Sequence, residues 1–136
     1  MISSFTPVNY ELAVSSAQEA KLVAKALLEK RLVASVNCYP VASRYWWQGN
    51  LEIKKEYILK MKSVKENFSL IELEIKKISL EERFVLSCSV MAHINHDAKV
   101  WLRKNLARYS NIEYGTKKVD TKKSPTIARS NPYRLE

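Results

Sequence analysis

Apolar side chains follow two alternating periods along the chain. Every second residue from Tyr10 to Val14 is apolar, which predicts a strand over Asn9 to Val14. Ser16 then precedes Glu19 by three positions, the spacing of a capping box at a helix start. Apolar residues next recur every three or four positions from Ala20 to Leu28, which predicts an amphipathic helix against one face of a sheet.

The middle of the chain predicts an unusually long hairpin. A second strand is predicted over Leu32 to Trp47 and a third over Leu51 to Lys62, with a turn at 48–50 between them. Gly49 is one of only two glycines, and a glycine there supplies the positive φ that a tight turn needs. These strands reach roughly 12 to 14 residues, whereas typical strands have about 5 to 6.

The remaining periods complete the element order. Ser63 precedes Glu66 by three positions, a second capping-box spacing, and helical periodicity follows as far as Ile78. A fourth strand is predicted over Phe84 to His93. Asn95 is the predicted cap of a third helix over Asp97 to about Arg108, whose buried side is Trp101, Leu102 and Leu106. The order β-α-β-β-α-β plus a C-terminal helix predicts an α+β, ferredoxin-like fold with an extended hairpin.

Three consecutive aromatic residues, Tyr45, Trp46 and Trp47, lie at the end of the second strand. Successive strand side chains point to opposite faces, so at least one tryptophan must be covered by something other than the sheet's own core. A hairpin longer than its two covering helices would expose these aromatics together with unpaired backbone. Head-to-tail contact with further copies of the chain would cover both the aromatics and the unpaired backbone. In a closed ring every copy is covered in this way, and the ring that we expect is a homotrimer.

Length and charge divide the chain into two parts. We expect a single domain over 1–106 and a basic, flexible extension over 107–136. The extension has seven Lys or Arg and three acidic residues, a charge of +4 out of the total of +9. The domain itself is therefore only mildly basic, which is weak support for binding nucleic acid.

Several observations favour a reducing compartment. Cys38 and Cys88 are the only cysteines and do not form a disulfide framework. Met1 to Val8 lacks the basic and apolar regions of a secretory signal, and the apolar runs are too short to span a bilayer. We therefore expect a cytoplasmic protein without membrane segments.

A family resemblance follows from the hairpin motif. The chain reads L-V-A-S-V-N over 32–37, then Tyr39-Pro40, S-R-Y-W-W-Q-G over 43–49, and Leu51-Glu52. This resembles the CutA divalent-cation-tolerance family, whose pattern is close to "L-A-A-C-V-N-x-x-P-x-x-S-x-Y-W-W-x-G-x-I-E". The resemblance covers about Tyr10 to Leu106, and its further matches are Glu56, Lys62, Asn95, Asp97 and Trp101-Leu102.

The resemblance carries expectations and also has departures. It implies a ferredoxin-like subunit in a tight trimer similar to the PII signalling proteins, with a role in tolerance of copper and other metals. Family members carry "H-P-Y-x-x-P-E" where this chain has I-S-L-E-E-R-F over 78–84. Ser15 and Ser35 stand where some members have a thiol, and the segment after Ala107 has no family counterpart.

Candidate site residues fall into two groups. Tyr45, Trp46, Trp47 and Gly49 would form a trimer interface, or the wall of a ligand cleft in which Glu56 and Lys62 contact a small anionic ligand. The alternatives for these residues are plain packing, a solvated strand face or an inter-subunit ion pair. A second group, His93, His96 and Asp97, has the ligand chemistry for copper or zinc but spans a strand-to-helix junction, and ordinary surface residues are the simpler interpretation.

Function classes can be narrowed from the same residues. The sequence suggests no Ser-His-Asp or Cys-His set, and two glycines cannot build a phosphate-binding loop, so we do not expect an enzyme. No cofactor is assigned, and a divalent metal such as copper is the candidate. The hypothesis is a non-enzymatic metal- or small-ligand-binding sensor scaffold. The alternative is a nucleic-acid-binding module, since RNA-recognition motifs share this element order, but the third strand lacks their glycine and paired aromatics.

Overall fold

The computed structural model describes residues 5–79 and 83–107. Four strands and three α-helices follow in the order β1 (Pro7–Val14), α1 (Ala17–Glu29), β2 (Ser35–Trp47), β3 (Asn50–Val64), α2 (Phe68–Ile78), β4 (Leu86–Val90) and α3 (His96–Asn105). A short 3-10 turn, Lys65–Asn67, joins β3 to α2. The predicted extension over 107–136 lies outside the described residues apart from Ala107.

The four strands form one antiparallel sheet in the order β2-β3-β1-β4. Helices α1 and α2 cover one face, where Val23 and Leu27 of α1 and Ile71 and Ile75 of α2 join Tyr10 and the other inward side chains of the sheet in one buried cluster. This is the predicted ferredoxin-like fold, which is confirmed. The opposite, open face of the sheet is not covered by α1 or α2, and a second, smaller buried cluster joins Phe5, Val64 of β3 and Leu106 at the end of α3.

Local signals explain the first helix. The Ser16 hydroxyl accepts a hydrogen bond from the Glu19 backbone N–H at 3.1 Å, as the capping-box spacing predicts. At the other end, Arg31 adopts a positive φ of 56° while its N–H and that of Leu32 bond back to the Leu28 and Leu27 carbonyls. This pair of bonds is a Schellman motif, and it turns the chain sharply towards β2.

The second predicted capping box is wrong. Ser63 is the penultimate residue of β3, fully buried, and its hydroxyl donates to the Leu32 carbonyl oxygen at 2.6 Å. Glu66 instead accepts a hydrogen bond from the Thr6 backbone N–H at 3.1 Å. Helix α2 starts only at Phe68, after the 3-10 turn, and its N-cap makes no side-chain hydrogen bond.

Two further elements differ from their predictions. β4 covers Leu86–Val90 rather than 84–93, because it pairs with β1 only from Leu12 back to Val8. Trp101 was predicted to be buried on α3 but is 37% exposed, whereas Leu102 and Leu106 are buried as expected. None of the described helices is long and apolar enough to cross a membrane.

Candidate functional site

The hairpin of β2 and β3 closes in the tight turn that the sequence predicts. Gln48 and Gly49 both have positive φ, 49° and 82°, which is the signature of a type I′ turn. Beyond it, Trp47 pairs with Asn50 and Trp46 pairs with Leu51 in a register that continues without interruption to Ser35 and Lys62. The two adjacent tryptophans therefore point to opposite faces of the hairpin.

The hairpin extends past the rest of the sheet, as predicted. β1 pairs with β3 only from Tyr57 to Val64, so residues 50–56 of β3 have β2 as their sole neighbour in the sheet. Neither α1 nor α2 covers this overhang. Its helix-side face consequently exposes three large apolar side chains: Trp46 is 74% exposed, Leu51 57% and Ile53 67%.

The open face of the overhang is better covered. The guanidinium carbon of Arg83, in the segment before β4, lies 4.7 Å from the centre of the Trp47 ring, in cation–π geometry. Trp47 is 38% exposed, about half the value for Trp46. One of the two indoles thus finds partial cover within its own chain, which the sequence patterns did not indicate.

Glu56 and Lys62 are not brought together within one chain. Both project from the open face of β3, but they are six residues apart, a distance of about 20 Å along a strand. Glu56 lies opposite Val41, near the start of the overhang, and Lys62 lies opposite Ser35 at the far end of β2. A cleft containing both residues would have to combine different subunits.

The suggested metal ligands do not form a site in the described chain. His93, His96 and Asp97 are all exposed, and residues 5–79 and 83–107 contain no group of three or more His, Cys, Asp or Glu side chains that could hold a metal ion. Their assignment as metal ligands stays a prediction without support from the geometry. Within residues 5–79 and 83–107 of one chain, these three side chains are therefore not arranged around a common metal position.

The cysteines lie far apart. Cys38 is on β2 and Cys88 on β4, the two opposite edges of the sheet, and both are free and half-buried. Burial raises the pKa of the Cys38 thiol above its ordinary value, so it stays protonated at neutral pH. Soft-metal binding by the pair is not supported.

A shallow hollow on the overhang was not predicted from the sequence. It has a volume of about 450 Å³ and is lined by Pro40, Val41, Ala42, Ile53, Lys54 and Lys55. The signal that could have indicated it is the placement of the small Pro40 and Ala42 on the same face as exposed Ile53. Small side chains beside larger ones leave a depression on a strand surface.

The open face lacks the features of an RNA-binding sheet. In RNA-recognition motifs, aromatic side chains of the two central strands stack on bases. Here the described open-face positions of the central strands β1 and β3 carry no aromatic residue; they include Glu11, Ile58, Lys60 and Lys62. The geometry therefore gives the nucleic-acid alternative no support.

Comparison with known proteins decides the family. Residues 10–105 match the model of the family described as CutA1 divalent ion tolerance protein. The chain belongs to this CutA1 family. The match includes the whole hairpin and all of α3. It confirms the family resemblance that the Y-W-W-x-G motif indicates.

Individual CutA1 proteins agree in sequence and structure. A divalent-cation tolerance protein CutA of Archaeoglobus fulgidus is 38% identical over 65 residues, which are 48% of this chain and 64%, just under two thirds, of that protein. Its namesake from Thermus thermophilus is 32% identical over 95 residues, 69% of this chain and 92% of that protein. A solved structure of the divalent cation tolerance protein from Thermus thermophilus superposes with a TM-score of 0.71 at 30% identity, covering 74% of this chain and 98% of that one.

One residue of the stretch in which the chain departs from the expected family pattern, Arg83, lies against the hairpin. In the altered stretch 78–84, residues 80–82 lie outside the described residues, and Arg83 is the residue that contacts Trp47. The cation–π contact with Trp47 is therefore made by a residue, Arg83, in a segment where the family pattern has other residues.

Proposed function

We propose that the chain forms a homotrimer that acts as a non-enzymatic scaffold in tolerance of, or response to, divalent metal ions such as copper. The family description and the names of the relatives support the link to divalent ions. A cytoplasmic location is part of the proposal, supported by two free cysteines that form no disulfide. Membership of the family and the hairpin geometry support the trimer, as argued next.

The exposed helix-side face of the overhang is the observation that carries the proposal. Trp46, Leu51 and Ile53 form an apolar surface of a kind that monomeric proteins rarely leave in water. Covering 74% of a large aromatic side chain, which has about 250 Å² of surface, is worth roughly 4 to 5 kcal/mol before the costs of association. This apolar surface lies far from the body of the sheet, so it contacts a neighbouring copy head-to-tail. A closed ring is the arrangement in which no copy leaves its apolar surface exposed.

The ligand cleft of this scaffold is placed between subunits. Glu56 and Lys62 are too far apart to serve one ligand within a chain, but head-to-tail packing sets the hairpin of one copy against the sheet of the next. Lys62 then offers a cation and Glu56 a carboxylate to a small anionic ligand or a divalent ion, beside Tyr45 and Trp47. No catalytic step is assigned to this site.

Sedimentation velocity at micromolar concentration tests the assembly. We expect the wild type to sediment as a trimer and the Trp46→Ser and Ile53→Ser variants to shift towards monomer. Leu73→Ser is the matched control, because Leu73 is also 55% exposed but lies on α2, away from the hairpin. A wild-type monomer, or equal dissociation of the control, would contradict the proposal.

The link to metal ions needs a separate measurement. In a host sensitive to copper and lacking its own CutA protein, we expect the wild type to restore growth under copper and Trp46→Ser to fail at matched protein levels. Calorimetric titration with Cu(II) and Zn(II), comparing the wild type with His93→Ala and His96→Ala, tests the suggested ligands. Unchanged binding in both variants would remove these two histidines from any metal site.

A further inference from the structure

Two rows of polar side chains cross the open face of the sheet at the end near α3. The first row contains, in order across the four strands, Ser35, Lys62, Asn9 and Ser89. The second row, two residues further along each strand, contains Asn37, Lys60, Glu11 and Ser87. Each row spans three strand spacings, about 14 Å, and its lysine lies on the central strand β3, about 7 Å from the lysine of the other row. The register therefore surrounds two cations with neutral hydrogen-bonding groups.

The fold itself does not occupy these side chains. Within residues 5–79 and 83–107, neither lysine amine forms an ion pair, and the side chains of Asn9 and Asn37 make no hydrogen bond. Glu11 is the direct partner of Lys60 in the register, yet the described chain contains no ion pair between them. Lys62 is half-buried and Lys60 is exposed. Two ammonium groups on one face without a carboxylate bound to them favour an anion from outside the described chain.

The end of α3 forms a wall beside the first row. Leu106 packs on Phe5 and Val64, and Val64 is the next residue after Lys62 on the same face of β3. The guanidinium carbon of Arg103 lies 5.0 Å from the centre of the Phe5 ring. A third cation therefore stands at this border of the polar rows.

An apolar row borders the polar rows on the other side. Tyr39, Ile58 and Ala13 are direct partners across three strands, two residues beyond the second polar row. Tyr39 is 42% exposed, so its ring offers free surface on this face. The surface thus joins a basic, hydrogen-bonding part to an aromatic and apolar part, which suits a small molecule with an anionic group on an apolar body.

We propose that this part of the open face binds a small organic phosphate, with the phosphoryl group on Lys60 and Lys62 and the apolar body against Tyr39 and Ile58. A phosphate monoester carries up to two negative charges at neutral pH and three strong acceptor oxygens, which match two ammonium groups and the amides of the neighbouring asparagines. The inference goes beyond the cleft of the proposed function, because all of its residues belong to one chain and Glu56 is not among them.

NMR titration at one ionic strength tests the site, with phenyl phosphate, inorganic phosphate and phenol as probes. We expect phenyl phosphate to shift backbone amide signals of β1 and β3 and to bind about tenfold more tightly than inorganic phosphate, and phenol not to saturate. Lys62→Met and Lys60→Met should each weaken phenyl phosphate about tenfold, through a lost charge-assisted contact. Tyr39→Ser should weaken phenyl phosphate but not inorganic phosphate, and Glu11→Gln should strengthen both by removing a like charge.

Lys76→Met is the matched control, because Lys76 is also exposed but lies on α2, which covers the other face of the sheet. Weakening by this variant equal to that by Lys60→Met would mean unspecific charge attraction and would overturn the proposal. Inorganic phosphate bound as tightly as phenyl phosphate would also overturn it, since the site would then be one for the free ion. Loss of binding in Glu56→Gln would place the ligand in the cleft between subunits, against this inference and in favour of the proposed function. A wild-type monomer that binds phenyl phosphate would refute the homotrimer and support the site within one chain.

Discussion

The buried polar cluster around the Leu32 carbonyl gives a quantitative prediction. This oxygen accepts two hydrogen bonds, from the Ser63 hydroxyl at 2.6 Å and from the Asn67 side-chain amide at 3.0 Å. The amide also lies 3.4 Å from the Ser63 oxygen, so the three groups form one network. The network joins the chain entering β2 to the end of β3 and the start of α2, and both side chains are almost completely buried.

The geometry predicts that the two side chains are not independent. Ser63→Ala removes one bond but leaves the Leu32 oxygen its contact with Asn67, so we expect a loss of about 1 kcal/mol in the free energy of unfolding. Asn67→Ala should cost about 1 to 2 kcal/mol, since the Ser63 contact remains. The double variant leaves the carbonyl without either partner, and the total loss should exceed the sum by about 1 kcal/mol.

Urea unfolding followed by circular dichroism measures these differences. All variants must be compared at one protein concentration, because the proposed assembly would contribute to the apparent stability. Ser89→Ala on β4 and Asn37→Ala on β2 are matched controls at exposed positions and should each change stability by less than about 0.5 kcal/mol. Additive losses in the double variant, to within about 0.3 kcal/mol, would show that the carbonyl is not shared.

Three further predictions follow from single contacts. Gly49→Ala should destabilise the hairpin by about 1 kcal/mol through its φ of 82° alone, since an added Cβ would meet nothing within 4 Å; unchanged urea stability would contradict this. Arg83→Ala should increase acrylamide quenching of Trp47 in a protein that lacks the other tryptophans, and quenching equal to that of the Arg83 form would rule out the cation–π contact. The hydrogen bond from Lys30, at 2.8 Å, holds the pKa of Glu74 below its ordinary value. The Glu74 carboxylate therefore stabilises the fold fully above a pH of about 4.3, the ordinary value, and this stabilisation is lost as the pH falls through the lowered pKa. Glu74→Gln should therefore be less stable than the wild type at pH 7, and the difference should shrink on acidification; a difference that is constant down to a pH of about 3 would refute the assignment.

Sequence reasoning succeeded wherever one period dominated a segment. The alternation in β1 and the helical spacing in α1 each match a buried face of the structure, and the Ser16 cap forms the bond that its spacing predicts. The prediction from local sequence was wrong at Ser63, because the residues around it fit either a helix N-cap or the end of a strand. The deciding partner, the Leu32 carbonyl, is 31 residues away along the chain, and no local pattern contains that information.

The candidate site shows the same division between local and distant information. The turn at Gly49 and the opposite directions of Trp46 and Trp47 follow from local rules and are seen in the structure. The cover that Arg83 gives to Trp47 depends on where the segment before β4 meets the hairpin, which no period in the sequence encodes. The separation of Glu56 and Lys62, by contrast, was readable from their spacing on one strand.

The overhang connects the stability of this fold with its proposed assembly. A two-stranded ribbon is marginally stable in water on its own, and residues 50–56 of β3 have no second neighbour strand in the described chain. The type I′ turn and the contact of Arg83 with Trp47 fix the ribbon's end and one of its faces, but they add nothing to the face that carries Trp46, Leu51 and Ile53. The hairpin is therefore ordered at its turn and on one face, while the face with Trp46, Leu51 and Ile53 stays exposed within the single chain. The proposed head-to-tail assembly would require both properties of the element through which its subunits meet.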